Sequence, residues 1–402
     1  MLRCLWIARD VPYPQDAGDK VYSAQLARAI SDCGAYVRFL GFPGSSAPVP
    51  IDSRVNWVEV PGKKRPLYSA IFSFKPNQAA VHDTQAYRDI VLEQLRENWD
   101  AIILDSYGSG WALRHIDVAA SAMSCPTPIR VYISHNHETR LWRDMASSAS
   151  GNIGRRIALW LNYFKTRVFE RALIRSVDLI TLISSEDLEE FSRYGPSADP
   201  ILLTPGYSGA KTVRRTLDTS VPRRIMMLGS FRWLIKQENL QRFVTAADEQ
   251  FHANNIILDV LGDVPSELLM LLRRKVKATR FHGFVADITS HASEARLAVV
   301  PEIIGGGFKL KFLDYIFRRV PVATLSDAAA GLPLALREQM ISSGDISTLV
   351  NDIINAIDDT DRLNGMQERA FVAASELFQW HDRGSAFLDS MSTACNSRPM
   401  FT

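Results

Sequence analysis

The stretch GGGFKLKFLDYIFRRVPVATL, residues 305–325, decides how the chain is read. Three glycines run into a segment with apolar residues at helical spacing. Lys309 and Lys311 sit in its first turn, Asp314 follows one turn later, and Pro321 breaks it into a short β-like run. A helix N-terminus already carries free N–H groups and a positive dipole end, so lysines there point to a bound anion. Gly305, Gly306 and Gly307 let backbone approach that anion closely. The rest of the sequence has to say which anion it is.

A chain of 402 residues is too long for one ordinary core, and two domains of about 200 residues are expected. The 47% apolar and 22% charged fractions are those of a globular protein, and a net charge of +2 gives no argument for nucleic acid. Cys4, Cys33, Cys125 and Cys395 lie far apart with no CxxC, which reads as reduced thiols in a cytoplasmic protein. MLRCLWIARD is too short in its apolar run for a signal peptide, and no run of 18 apolar residues is present to span a membrane.

Working outward, β-type runs alternate with helical patterns. RCLWIA, YVRFLGF, DAIILDS, IRVYISH and DLITLIS read as strands over residues 1–205. They are continuously apolar rather than alternating, which suits a parallel sheet covered on both faces. The polar, Pro- and Gly-bearing residues 206–223 read as a linker. A second series, RIMMLGS, NIILDVLG, ATRFHGFV, RLAVVPE and VPVATL, fills residues 224–375, and residues 376–402 close the chain. The expectation is α/β: two tandem Rossmann-like, doubly wound domains facing a central cleft.

Several segments, in this order, resemble the GT-B glycosyltransferases of the group 1, family-four type that build bacterial polysaccharides. They are RDVPYPQDAGDKVYSAQLARAI, ISHNHET, FERALIRSVDLITLISSEDLEEF, MMLGSFRWLIKQENLQRFV, PEIIGGGFKLKFLDYIFRRVPVATLSDAAAGL and LFQWHDR. The resemblance implies an acceptor-binding first domain and a nucleotide-sugar-binding second domain. It also implies a C-terminal helix that returns toward the first domain.

The anion is then the diphosphate of a UDP- or GDP-linked sugar. The resemblance implies that Lys311 and Lys236 stabilise the leaving diphosphate. It places Gly18, Ser230, Arg232, Phe284, Gly305, Gly306, Gly307, Lys309 and Asp314 at the donor, and His135, His137 and Glu138 on the acceptor side. Asp105, at the end of an N-domain strand, is the expected acceptor of the acceptor's proton. The chain departs from the family at Ala17–Gly18, where two glycines are usual, and at Ile304, where a donor-contacting glutamate is usual. Glu302 is the nearby substitute.

Other readings stand beside these. Lys311 and Asp314 at i, i+3 also fit an intrahelical ion pair. His135-Asn136-His137-Glu138 has no third metal ligand by spacing, and no metal or cofactor is expected. Asp359–Thr360–Asp361 reads as a turn capping a helix. Residues 155–175 are basic and amphipathic, and fit either a membrane surface or a helix packed on its own sheet. GKKRPLY, residues 62–68, joins that basic patch if the fold brings it near.

The implied activity is retaining, metal-independent transfer to a glycan or lipid-linked acceptor in surface polysaccharide synthesis. The expected location is the cytoplasm, at the inner face of the plasma membrane. A nucleotide-sugar 2-epimerase of the same fold, or a non-catalytic binding module, remains the alternative. The absence of a Gly-x-Gly-x-x-Gly fingerprint argues against a nicotinamide dehydrogenase.

Overall fold

The computed structural model describes residues 1–15, 17–44, 54–122, 127–149, 153–195, 199–303 and 308–396. The chain forms two compact units, Met1–Gly206 with Trp380–Thr402, and Tyr207–Gln379.

In the first unit the strands are β1 (Arg3–Asp10), β2 (Tyr36–Phe42), β3 (Val55–Glu59), β4 (Ala101–Asp105), β5 (Ile129–Ser134), β6 (Leu179–Leu182) and β7 (Ile201–Leu202). All pair in parallel, in the order β3-β2-β1-β4-β5-β6-β7. Every residue of β4 is buried, as a central parallel strand requires. Each large apolar side chain so buried, such as Leu104 or Phe39, contributes about 1.5–3 kcal/mol relative to exposure.

The Trp380–Asn396 helix packs on the Gly18–Asp32 helix of the same unit. Gly384 permits the approach, because a Cβ there would lie 2.4 Å from the Ala29 carbonyl oxygen. Arg383 then donates to the Thr204 carbonyl and hydroxyl at 2.8 and 2.9 Å.

The second unit contains β8 (Arg224–Leu228), β9 (Ile257–Leu261), β10 (Thr279–Gly283), β11 (Leu297–Val300), β12 (Val322–Leu325) and β13 (Ile341–Ser343). They form a parallel sheet in the order β10-β9-β8-β11-β12-β13. Gly262, at φ +134°, ends β9 where a Cβ would lie 1.6 Å from the Gly229 oxygen. Only glycine lets these two strand ends come so close.

Both sheets have the doubly wound order, with the chain reversing direction between β1 and β4 and between β8 and β11. Ligands of such sheets bind beyond the carboxyl ends of the strands at that reversal. The strands expected from apolar runs all form. The edge strands β3, β7 and β13 were not among them. Asp359 caps the Thr360–Leu377 helix, accepting from the Arg362 N–H at 3.0 Å.

Candidate active site

At the reversal point of the second sheet, β8 ends at Leu228 and turns through Gly229 and Ser230 into the Leu234–Ala253 helix. Lys236 lies in its first turn. β11 ends at Val300 and runs to buried Glu302. Residues 304–307, and with them Gly305, Gly306 and Gly307, lie outside the described residues. The chain is described again from Phe308 and enters the Lys311–Phe317 helix. Tyr315 on that helix accepts from the Leu228 N–H at 2.6 Å, which fixes the Lys311 helix against the end of β8.

Lys311 does not pair with Asp314. Its ammonium donates to the Glu302 carboxylate across the glycine segment. Burial would raise the Glu302 carboxyl, but Lys311, then Lys309 and Lys236, outweigh it and hold it below its ordinary value. Three lysines from two elements therefore act on one carboxylate. The helix that Lys311 opens has only seven residues, whereas Lys236 sits in the first turn of a 20-residue helix whose dipole adds to the positive field.

Asp314 instead accepts from Arg318 at 2.9 Å and from the Tyr207 hydroxyl at 3.1 Å. Arg232 pairs with Asp263 at 2.7 Å on an exposed turn. Ser230 is exposed, and Phe284 is exposed in the loop after β10.

At the reversal point of the first sheet the groups are buried and mutually committed. Asp105 ends β4 with both carboxylate oxygens occupied. Oδ1 is 2.6 Å from His135 Nε2, and Oδ2 accepts from Trp6 Nε1 at 2.8 Å. A carboxylate so engaged is poorly placed to take a substrate's proton, contrary to the expectation for Asp105. His135, six residues along from the start of β5, offers an alternative. With Nε2 on the carboxylate, its Nδ1 carries the lone pair, and that buried atom has no partner among the described residues. Ser106, directly after Asp105, has φ 65° and ψ 162°, a region costly for any residue but glycine. Such strain concentrates at functional sites, and no sequence signal marks it.

Gly18 opens the Gly18–Asp32 helix, and Asp19 beside it binds Arg9 from β1 at 2.5 Å. Arg9 also donates to Gln78 at 3.1 Å. Arg9 was not anticipated, although a lone arginine closing an apolar strand is a legible sign of a polar edge. Glu138 starts the Glu138–Ser148 helix, where burial, with Glu170 adding, pushes its carboxyl up to about 8. Fully buried Glu170 accepts from the Glu138 and Thr139 N–H groups at 3.0 and 2.8 Å, and burial pushes it up to about 7. His137 caps the same helix, its Nδ1 accepting from the Arg140 N–H at 3.1 Å. Among the described residues no group of three or more His, Cys, Asp or Glu could hold a metal ion.

The two doubly wound parallel sheets are those of the GT-B fold. The chain belongs to the group 1 glycosyltransferases. It matches the Glycosyl transferases group 1 family over residues 222–359 and the Glycosyl transferase 4-like domain over residues 18–206. Among curated proteins, none matches the chain in sequence.

Solved structures with the same fold include Anabaena Alr3699/HepE in complex with UDP and glucose. It is 14% identical with TM-score 0.67, and the match covers 98% of this chain and 100% of that one. WaaG, a glycosyltransferase involved in lipopolysaccharide biosynthesis, is 15% identical at TM-score 0.66, covering 97% and 99%. TarM is 7% identical at TM-score 0.69, covering 97% and 99%.

Proposed function

We propose that this glycosyltransferase moves a sugar from a UDP-linked donor to a glycan or lipid-linked acceptor of a surface polysaccharide, with retention and without a required metal. The observation that carries the reading is the Lys311–Glu302 ion pair beyond the end of β11, with Lys309 and Lys236 adding to the pull on that carboxylate. Cations gathered at a strand end suit a nucleoside diphosphate, which brings the complementary charge. UDP is favoured as the nucleotide because Anabaena Alr3699/HepE, which shares the fold, binds it.

In the reaction the bond between the anomeric carbon and the diphosphate oxygen breaks, and UDP leaves with the electron pair. The lysines stabilise that leaving charge, and the acceptor hydroxyl forms the new bond at carbon. The hydroxyl proton passes to a general base; within the first unit, Asp105 holds the His135 imidazole in the tautomer that leaves Nδ1 able to accept one. Asp105 is thus a positioning residue.

Contact with a membrane surface belongs to the same reading. Among the described residues, no helix is long and apolar enough to cross a membrane. The Ile153–Ser176 helix nevertheless turns Ile157, Leu161, Phe164 and Val168 outward, all more than half exposed. Lys165 on that helix donates to the Ala70 and Ile71 carbonyls at 3.0 and 3.2 Å. That brings the exposed Ile71 beside the helix, and Leu67, Phe72 and Phe74 are exposed in the same stretch of chain. An apolar surface flanked by cations is the pattern of interfacial binding.

The test is UDP release from UDP-sugars with and without extracted lipid-linked acceptors. Acceptor-dependent release supports transfer, and anomeric proton coupling in the product reads retention. Isomerisation of donor alone would identify an epimerase instead.

A further inference from the structure

Between the Glu138–Ser148 helix, the Ile153–Ser176 helix and the turn after the Ser185–Ser192 helix lies a polar pocket of about 210 Å³. A water takes about 30 Å³ of liquid, so the space suits a group of phosphate or diphosphate size. Arg140, Arg143 and Arg167 line it, with Glu190 as the one acidic residue in its wall. Glu190 pairs outward with Arg193 at 3.2 Å. Asp144 sits 3.3 Å from Arg143 and 4.0 Å from Arg140. Arg167 meets no carboxylate among the described residues. Arginine forks of this kind suit phosphate oxygens.

His137 supplies an independent sign. It is 3% exposed and forms part of the pocket wall. Because its Nδ1 accepts the capping bond from Arg140, its ring proton is on Nε2. That buried donor has no acceptor among the described residues. A buried orphan donor among arginines lacks an oxygen-bearing partner. Burial, with Arg140 and Arg143 adding, holds the imidazole neutral, with its pKa down at about 4.

The pocket does not end in solvent on every side. Tyr163 in its wall packs edge-on against Trp160 at 5.4 Å and tilted against Phe164 at 5.0 Å. Those two rings belong to an apolar groove of about 300 Å³ along the same helix, which also includes Ile153, Ile157 and Leu161. A cationic pocket beside an apolar groove on the same helix matches one kind of molecule: a phosphate carrying a hydrocarbon chain.

We infer that this pocket holds the phosphate of a lipid carrier, with the lipid chain lying along the Ile153–Phe164 groove. The inference rests on the proposal of a lipid-linked acceptor and gives that acceptor an anchor on the first unit.

The test uses the full chain, saturated with UDP so that the donor site is filled, and titrates inorganic pyrophosphate. Wild type binds it, and Arg143→Ala/Arg167→Ala weakens binding about tenfold or more. These arginines are exposed, and unchanged UDP affinity reports an intact fold. A second arm compares cosedimentation with phosphatidylcholine vesicles with and without phosphatidic acid. The double arginine variant should lose the preference for phosphatidic acid, and Leu161→Ser/Phe164→Ser should lose vesicle binding while keeping pyrophosphate affinity.

Pyrophosphate binding that is indifferent to the arginines overturns the pocket. Arginine-dependent pyrophosphate binding with no change on vesicles overturns the lipid assignment in favour of a soluble phosphorylated ligand. If wild type fails to bind UDP, the transferase reading falls, and pyrophosphate titration without UDP still decides the pocket.

Discussion

The two sheets share a strand order, yet their carboxyl ends are built oppositely. In the second unit, three lysines act on one carboxylate, and the groups around them are exposed or half-buried. In the first, Asp105 and His135 are buried against each other, Arg9 is bound to Asp19, and Glu170 is consumed by capping a helix. One edge gathers lysines around a single carboxylate. The other commits Asp105, Asp19 and Glu170 to partners within its own unit and leaves His135 Nδ1 open. A leaving diphosphate needs a field, and a neutral hydroxyl needs an oriented lone pair.

The strongest way to break this comparison is Lys311→Ala. Loss of one preorganised cation at the leaving group should lower turnover roughly 10²–10³-fold. It also strips Glu302 of its direct partner, at a stability cost of up to about 3 kcal/mol, since Lys309 and Lys236 remain. Lys311→Ala/Glu302→Gln should recover the stability and not the turnover, as read by denaturant melts beside UDP-release rates.

Next in size is Asp105→Asn. The amide still accepts from Trp6 but donates to His135 Nε2, which moves the ring proton to Nδ1 and closes the lone pair. Turnover should fall about 10²-fold or more while UDP affinity is unchanged. Retained turnover would remove His135 from the chemistry.

The two edges should also respond to pH with opposite signs. The Glu138 and Glu170 carboxyls are raised, to about 8 and about 7. The folded first unit therefore holds more protons than the unfolded chain between the ordinary carboxylate range and those values. Its stability should fall by on the order of 5 kcal/mol as pH rises from about 5 to about 8, and Glu138→Gln should flatten the slope. Glu302 is held low, so its contribution is present above the ordinary glutamate value and is lost as pH falls through its lower folded value. Hydrogen exchange followed unit by unit across pH separates the two slopes.

The smallest effect belongs to Arg232→Ala. Its ion pair with Asp263 is exposed, and its loss should change stability by less than about 1 kcal/mol. A larger loss of UDP affinity would add Arg232 to the donor contacts.

Much of this fold was legible because parallel strands buried on both faces must be apolar throughout, as AIILD and LAVV are. The edge strand VNWVE alternates instead, and β7 and β13 span only two and three residues, too few to carry a pattern. At the site, the lysines were legible from their place behind the glycines. Their shared partner Glu302 was not, since the pair forms across nine residues and a loop whose path the sequence does not fix. Asp105 was located correctly at a strand end, but its bonds to Trp6 and His135 depend on which strands become neighbours. Asp314 was expected to share its helix face with Lys311 and turns instead to Arg318 and Tyr207, because i, i+4 spacing brought a better-placed cation.

The most direct measurement is calorimetric titration of UDP into wild type, Lys311→Ala/Glu302→Gln and Asp105→Asn. Binding should weaken about tenfold to a hundredfold in the lysine variant and hold at the wild-type value in Asp105→Asn. Equal affinity in wild type and the lysine variant would contradict the assignment of the lysine cluster as the diphosphate site.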